Sequence, residues 1–294
     1  FLSDFKKFYN EDVENKVHYV PHHLAHICST FYNYDIDEAA GYSFDGSGDF
    51  STVESYHLKK NNLKIIDKTL YPNSLGIFYQ AMTQFLGFKN YGDEYKVMGL
   101  AGFGKNKYKA EFDQLIKFNK NRLFELNLSF FRHHEIGFDF NFENNIPYFE
   151  NLYSKKLENL LGNSRDKDEQ ITERHFHIAH SLQKKFEEVT YKIINYYKSP
   201  SHKNLFLSGG CAFNAVNNKF ISDKNIFQNI IIQPNSGDAG GALGAGLYAS
   251  KKFDEKFKNE KLKSIYVGPS ENDKDVQKNI NMFIDDSFKV KHYI

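Results

Sequence analysis

Apolar residues at positions 24, 27, 28 and 31 recur at the three-and-four spacing of a helix face, which predicts a helix across "HHLAHICSTFY". Before it, "KVHYV" alternates and reads as a short strand running into Pro21. "AAGYSFDGSGDFSTVESYHL" gives two strands around a glycine-rich turn, and "LKIIDKTLY" a third strand. Ser74 reads as the N-cap of a helix through "LGIFYQAMTQFLG", stopped by Gly87. "GDEYKVMGLAGFG" gives a loop and a short helix, and residues 120–165 carry no clear period. From Ile171 through Ile178, Leu182, Phe186, Val189 and Ile193, one apolar stripe marks a long amphipathic helix. Strand "NLFLSGG", helix "AFNAVNNKFIS", strand "NIIIQP" and a helix from about Asp238 then follow, an order that implies parallel strands with a right-handed crossover.

Composition narrows the class. The chain has 294 residues, 40% apolar and 26% charged, which is ordinary for a globular protein. A formal net charge of +1 gives no support for nucleic acid as an obligatory partner. Cys28 and Cys211 have no metal-ligand spacing and imply no disulfide framework. No run reaches the ~20 apolar residues of a membrane span. The expectation is a soluble cytoplasmic protein, with no signal for its oligomeric state. The first residue is Phe1, so the chain reads as a segment of a longer protein or a processed form.

His22 and His26 stand at i and i+4, so on a helix both imidazoles share a face and can reach one ion. His23 points elsewhere. Two ligands do not close a metal site, and a helix start with solvated histidines explains the spacing equally well. Asp45 ends an apolar strand before Gly46, Ser47 and Gly48, a turn whose N–H groups can face a phosphate. The bland reading is a hairpin turn, which Asp-Gly commonly signals. Gly209 and Gly210 sit where a strand meets a helix, and Asn214 one turn on could hydrogen-bond a base or ribose. In "GDAGGALGAG", Asp238 is either a ligand or a cap, or both. Each interior helix glycine costs about 1 kcal/mol, so Gly240, Gly241, Gly244 and Gly246 suggest close approach of a backbone or ligand. The "GDEYK" stretch predicts no particular chemistry by spacing.

Taken in order, "HHLAH", "SFDGSGD", "SLGIFYQAMTQFLGF", "GDEYKVMGLAGFG", "LSGGCAFN" and "GDAGGALGAGLY" resemble the O-carbamoyltransferases of nodulation-factor and antibiotic tailoring. The resemblance covers roughly residues 18–250 and implies a two-lobed α/β fold of the actin/Hsp70/sugar-kinase (ASKHA) type, related to tRNA threonylcarbamoyltransferases. It implies a kinase-like domain over residues 1–250. Residues 251–294, with "YVGPS" near 266, would be a connector and the start of a C-terminal domain that makes carbamoyl-adenylate. The implied activity is ATP-dependent transfer of carbamoyl, from carbamoyl phosphate through carbamoyl-adenylate, to a hydroxyl of a sugar or secondary metabolite. ATP with Mg is then a co-substrate. His22, His26, Asp45 and Asp238 would hold Fe(II) or a similar ion, as two imidazoles plus carboxylates suit. Asp45 would also be catalytic, and Gly46, Ser47, Gly48, Gly209, Gly210 and Asn214 would line the nucleotide.

The family's opening GxxHD-like hairpin and its GPRALG-type arginine motif are absent. The fold is therefore expected to be incomplete at both ends and the isolated chain to lack part of the catalytic apparatus. Two other readings are a tRNA threonylcarbamoyl-type relative and a non-catalytic nucleotide- or metal-binding module. Acceptor specificity is expected in residues 120–165.

Overall fold

A strand that is apolar on both faces needs a layer on each side. β1 (Glu38–Gly48) is such a strand, buried from Ala39 to Phe44. In the computed structural model it is central in a mixed five-stranded sheet. Its neighbours are β2 (Ser51–Lys59) and β3 (Asn62–Leu70) on one side, and β4 (Asn204–Ser208) and β5 (Asn229–Ile232) on the other. The first three strands are antiparallel, while β1, β4 and β5 run parallel. The structure describes residues 2–60, 62–118, 123–137, 140–254, 256–258, 264 and 272–283. The chain divides into two compact units, Phe1–Lys261 and Leu262–Ile294. In the second, the described element is the helix Asp273–Phe283, and "YVGPS" lies outside the described residues.

On one face of the sheet, Ala40, Tyr42 and Phe44 join a core with α2 (Leu75–Phe85), α3 (Glu94–Ala101) and α4 (Glu173–Tyr197). Tyr42 reaches through this core to donate its hydroxyl to the Ile194 carbonyl at 3.0 Å. On the other face, Ala39, Leu58 and Phe206 pack with Ile27, Cys28 and Phe31 of α1 (His22–Phe31). α5 (Ala215–Asp223) connects β4 to β5, and α6 (Asp238–Phe253) follows β5 and lies against α1. The result is a sheet with helices on both faces.

Ser74 caps α2, accepting from the Ile77 N–H at 3.0 Å, and Gly87 ends it with φ of +84°. The long helix starts on a capping box in which Thr172 and His175 satisfy each other's backbone. The strand expected at "KVHYV" does not form. Val17 is extended, but the stretch has no pairing partner and ends at Pro21, so β-propensity yields an extended arm without a ladder. Ala212 and Phe213 belong to a 3-10 turn, Gly210–Phe213, and Asn214 is the N-cap of α5 rather than part of its body. Residues 123–137 and 140–162 fold as short pieces, and several of their aromatics go inward: Phe124, Phe130 and Phe131 are buried, the last 6.1 Å from the Phe78 ring.

The glycines of α6 serve different ends. A Cβ on Gly244 would lie 1.8 Å from the Ala25 carbonyl oxygen of α1, so this glycine permits backbone-to-backbone contact between two helices. Gly246 faces open space. Gly244→Ala should therefore force the helices apart and destabilise the protein by about 1–3 kcal/mol, whereas Gly246→Ala should be neutral or stabilise it by up to about 1 kcal/mol. Urea denaturation of the two variants checks both signs.

Candidate metal and phosphate site

The hairpin turn is not where Asp-Gly suggests. β1 and β2 pair from Glu38–Lys59 to Phe44–Val53, lose register, and resume at Gly48–Ser51. Asp49 and Phe50, both with positive φ, make the two-residue turn. Asp45, Gly46 and Ser47 are thus an irregularity inside β1 beside the C-terminal ends of the parallel strands. In such sheets ligands bind at that edge.

This departure from regular strand carries Asp45 to α1. Asp45 Oδ2 lies 2.8 Å from His26 Nε2 and 3.2 Å from His22 Nε2. The two Nε2 atoms are 3.0 Å apart. Asp238, first residue of α6, brings Oδ1 to 3.4 Å from His26 Nε2 and 3.6 Å from His22 Nε2. One ligand atom from each of the four lies within 4.8 Å of the others. Donors bound at ~2.1 Å to a common ion stand roughly 3–3.4 Å from one another. The observed separations run close to that range, and two imidazoles with two carboxylates suit Fe(II) or a similar divalent ion. The residues present therefore fit a metal.

Local structure explains the convergence. Asp49, at the hairpin tip, accepts the His22 backbone N–H at 2.7 Å and so caps α1 from outside. Gly48 leaves room for the His22 ring, which a Cβ there would meet at 2.0 Å. His23 turns away and its Nδ1 pairs with Ser43 Oγ at 2.7 Å. Electrostatics follow from the packing. Burial disfavours a charge on His26, but hydrogen bonds to Asp238 and Asp45 outweigh it and raise its pKa to about 9. Burial alone would raise the Asp45 pKa, yet hydrogen bonds with His22 and His26 hold it well below the usual carboxylate range. Asp45 is the enclosed ligand and Asp238, 68% exposed at its side chain, the open one.

The glycine residues gather around Asp45. A Cβ on Gly209, whose φ is +82°, would lie 2.2 Å from the Phe44 carbonyl oxygen, and one on Gly210 would lie 3.0 Å from Asp45 Oδ1. Gly46 faces open space on its Cβ side, and its N–H donates to Asp45 Oδ1 at 2.7 Å. Ser74 Oγ donates to the Gly46 carbonyl at 2.6 Å, fixing the turn to the start of α2. Ser47 is half-buried in the same turn. Asn214 is near but committed: it caps α5 through the Asn217 N–H and exchanges two amide hydrogen bonds with Gln183. Its Oδ1 accepts from both the Asn217 backbone and the Gln183 amide, and one of its two amide N–H bonds goes to Gln183 Oε1.

Glu94 was not singled out by its spacing. Its carboxyl is pushed up by burial, with Asp93 adding to the effect. Asp45 and Glu94 both act electrostatically on Tyr91 and Cys211, so the two carboxylates have neighbours in common. A paired Asp-Glu directly before a short helix was the available signal.

A family model described as carbamoyltransferase N-terminus matches residues 2–247. This chain belongs to the carbamoyltransferase N-terminus family. Among curated relatives, uncharacterized protein sll1178 of Synechocystis sp. is 34% identical over 255 residues, 84% of this chain and 39% of that protein. Nodulation protein NolNO of Sinorhizobium fredii is 27% identical over 90% of this chain and 36% of its own length. A crystal structure of full-length HypF in a phosphate- and nucleotide-bound form aligns over 81% of this chain and 36% of that one, with 15% identity and a TM-score of 0.40. The chain thus spans about 40% of the length of the curated relatives it matches.

Metal retention should depend on the geometry above. Protein purified without chelator should retain metal, and His26→Ala should lose it. Gly48→Ala should lower the occupancy by displacing His22 while leaving the fold intact. Elemental analysis beside circular dichroism checks this; equal metal content in all three proteins would count against the site.

Proposed function

We propose that this chain is the transfer part of an ATP-dependent O-carbamoyltransferase, taking carbamoyl from carbamoyl-adenylate to a hydroxyl of a sugar or other small metabolite. The observation that carries the reading is the convergence of His22, His26, Asp45 and Asp238 beside two glycine turns, in a chain of the carbamoyltransferase family. An antiparallel three-strand meander continued by parallel β4 and β5 is also what the ASKHA-type lobe implied by the sequence would contain.

Roles follow from the geometry. When bound at the four ligands, Fe(II) or a similar ion supplies Lewis-acid polarisation of a phosphate or carbamoyl oxygen. Backbone N–H groups of the turns at Ser47–Gly48 and Gly209–Gly210 receive phosphate oxygens of the nucleotide, introduced with Mg as ATP, while the Gly46 N–H stays on Asp45 Oδ1. Asp45, held strongly acidic, stays ionised and orients the histidines rather than accepting a proton. Glu94, with a raised pKa and neighbours in common with Asp45, is better matched to take the proton of the acceptor hydroxyl. The acceptor oxygen then bonds the carbamoyl carbon, the carbon–oxygen bond to phosphate breaks, and AMP leaves. Whether carbamoyl-adenylate is made elsewhere in a longer protein does not alter this assignment.

A non-hydrolysable carbamoyl-adenylate analogue, titrated calorimetrically into the metal-loaded chain, tests the reading. Binding is expected, weakened about 10- to 100-fold by Gly210→Val, as expected from losing one hydrogen bond to a charged group. Glu94→Gln should leave analogue binding unchanged and lower transfer. No binding by the folded, metal-loaded chain would sink the proposal.

A further inference from the structure

A second set of ligand-type side chains lies at the opposite end of the sheet. Glu38 is the first residue of β1, His57 pairs across from Ala40 in β2, and His202 lies two residues before the start of β4. At ~3.3 Å per strand residue, the seven residues from Glu38 to Asp45 separate this group from the first site by roughly 23 Å.

Glu38 Oε1 is 2.6 Å from His57 Nε2. The His57 and His202 rings meet edge to face with centroids 4.7 Å apart. One ligand atom from each of the three residues lies within 4.8 Å of the other two. His202 is only 2% exposed. Its Nδ1 accepts the Ser199 N–H at 3.1 Å, and its Nε2 is buried with no hydrogen-bond partner among the described residues. Buried polar atoms without partners are uncommon and ask for an explanation such as an ion. An ion pair between Glu38 and His57 with His202 stacked on it accounts for two of the three side chains and leaves that nitrogen unexplained.

We propose that Glu38, His57 and His202 form a second metal site, for a divalent transition ion of the zinc type, clipping the β1–β2 hairpin to the start of β4. Two imidazoles and a carboxylate are a common three-ligand set with the fourth position left to water. Glu38 and His57 are about one-third exposed, which gives an ion a path in. Ser201 Oγ donates to Glu38 Oε1 at 3.3 Å and steadies the carboxylate. Lys59 and Lys198 also face the group, so an ion binds against two nearby cations.

The protons can be followed. In the ion-free form the Ser199 N–H fixes the His202 proton on Nε2. Binding through Nε2 moves that proton to Nδ1, where it needs an acceptor instead of a donor. Rotation of the Lys198–Ser199 peptide replaces the N–H with the Lys198 carbonyl and supplies one. His57 likewise binds through Nε2 and keeps a proton on Nδ1.

Equilibrium dialysis of the full chain against zinc chloride, followed by metal analysis, tests the proposal. Wild type should bind two equivalents. Glu38→Gln, His57→Ala and His26→Ala should each bind one, and the Glu38→Gln/His26→Ala double variant none. Zinc should raise the melting temperature of His26→Ala but not of the double variant. Glu38 is at the surface, so Glu38→Gln should fold, unlike a truncation of buried His202. The proposal is overturned if folded Glu38→Gln still binds two equivalents, or if folded His26→Ala binds none. Neither result depends on carbamoyl transfer, so it stands or falls apart from the first site's function.

Discussion

The site depends on two helices touching backbone to backbone. Gly244 of α6 sits where a side chain would strike the Ala25 carbonyl, and Ala25 lies between His22 and His26. Asp238 is six residues before Gly244, about 9 Å along the axis at 1.5 Å per residue. The crossing therefore sets how near Asp238 comes to the imidazoles. With ordinary side chains between them, helices pack 8–10 Å apart, and the carboxylate at the start of α6 would be held off. Asp45 arrives by another route, through the break in β1 register, and Gly48 lets the His22 ring lie over that strand.

The same packing sets the charge state. A buried carboxylate or imidazolium is costly unless it is paired. Asp45 and His26 are both enclosed, and each one's shift has the other among its causes. Asp238 stands in solvent and contributes without that cost. The cluster thus has a fixed inner half and an open outer half, an arrangement suited to an ion that must also meet a substrate.

Much of this was legible in the sequence because it depends on local pattern. The i, i+4 histidines, the Ser74 cap, the Gly87 stop and the βαβα order after residue 203 all rest on short-range rules, and the structure contains each of these elements. Family membership was legible in the motif order. The Asp-Gly turn misled because a hairpin signal says nothing of strand irregularity, and Asp49–Phe50 carries no glycine to advertise the real turn. The pairing of Asn214 with Gln183 was not legible, because it joins residues 31 apart in sequence. Glu38, His57 and His202 could not be found at all by spacing, since strand pairing alone brings them together. The buried positions of Phe124, Phe130 and Phe131 were not legible, since no period marked which way they faced.

The four-ligand cluster has an order of assembly. His22, His26 and Asp45 leave the ribosome before Asp238, which comes 216 residues after His22. At 5–20 residues per second, that is a delay of roughly 10–45 s. During that interval a nascent chain offers three ligands on a sheet that still lacks β4 and β5. Were an ion to bind there, its capture would be tied to the completion of the fold: the four side chains come together only once the last parallel strand and its helix have docked. Occupancy of the site would report that synthesis had passed residue 238 and that the sheet had closed around it.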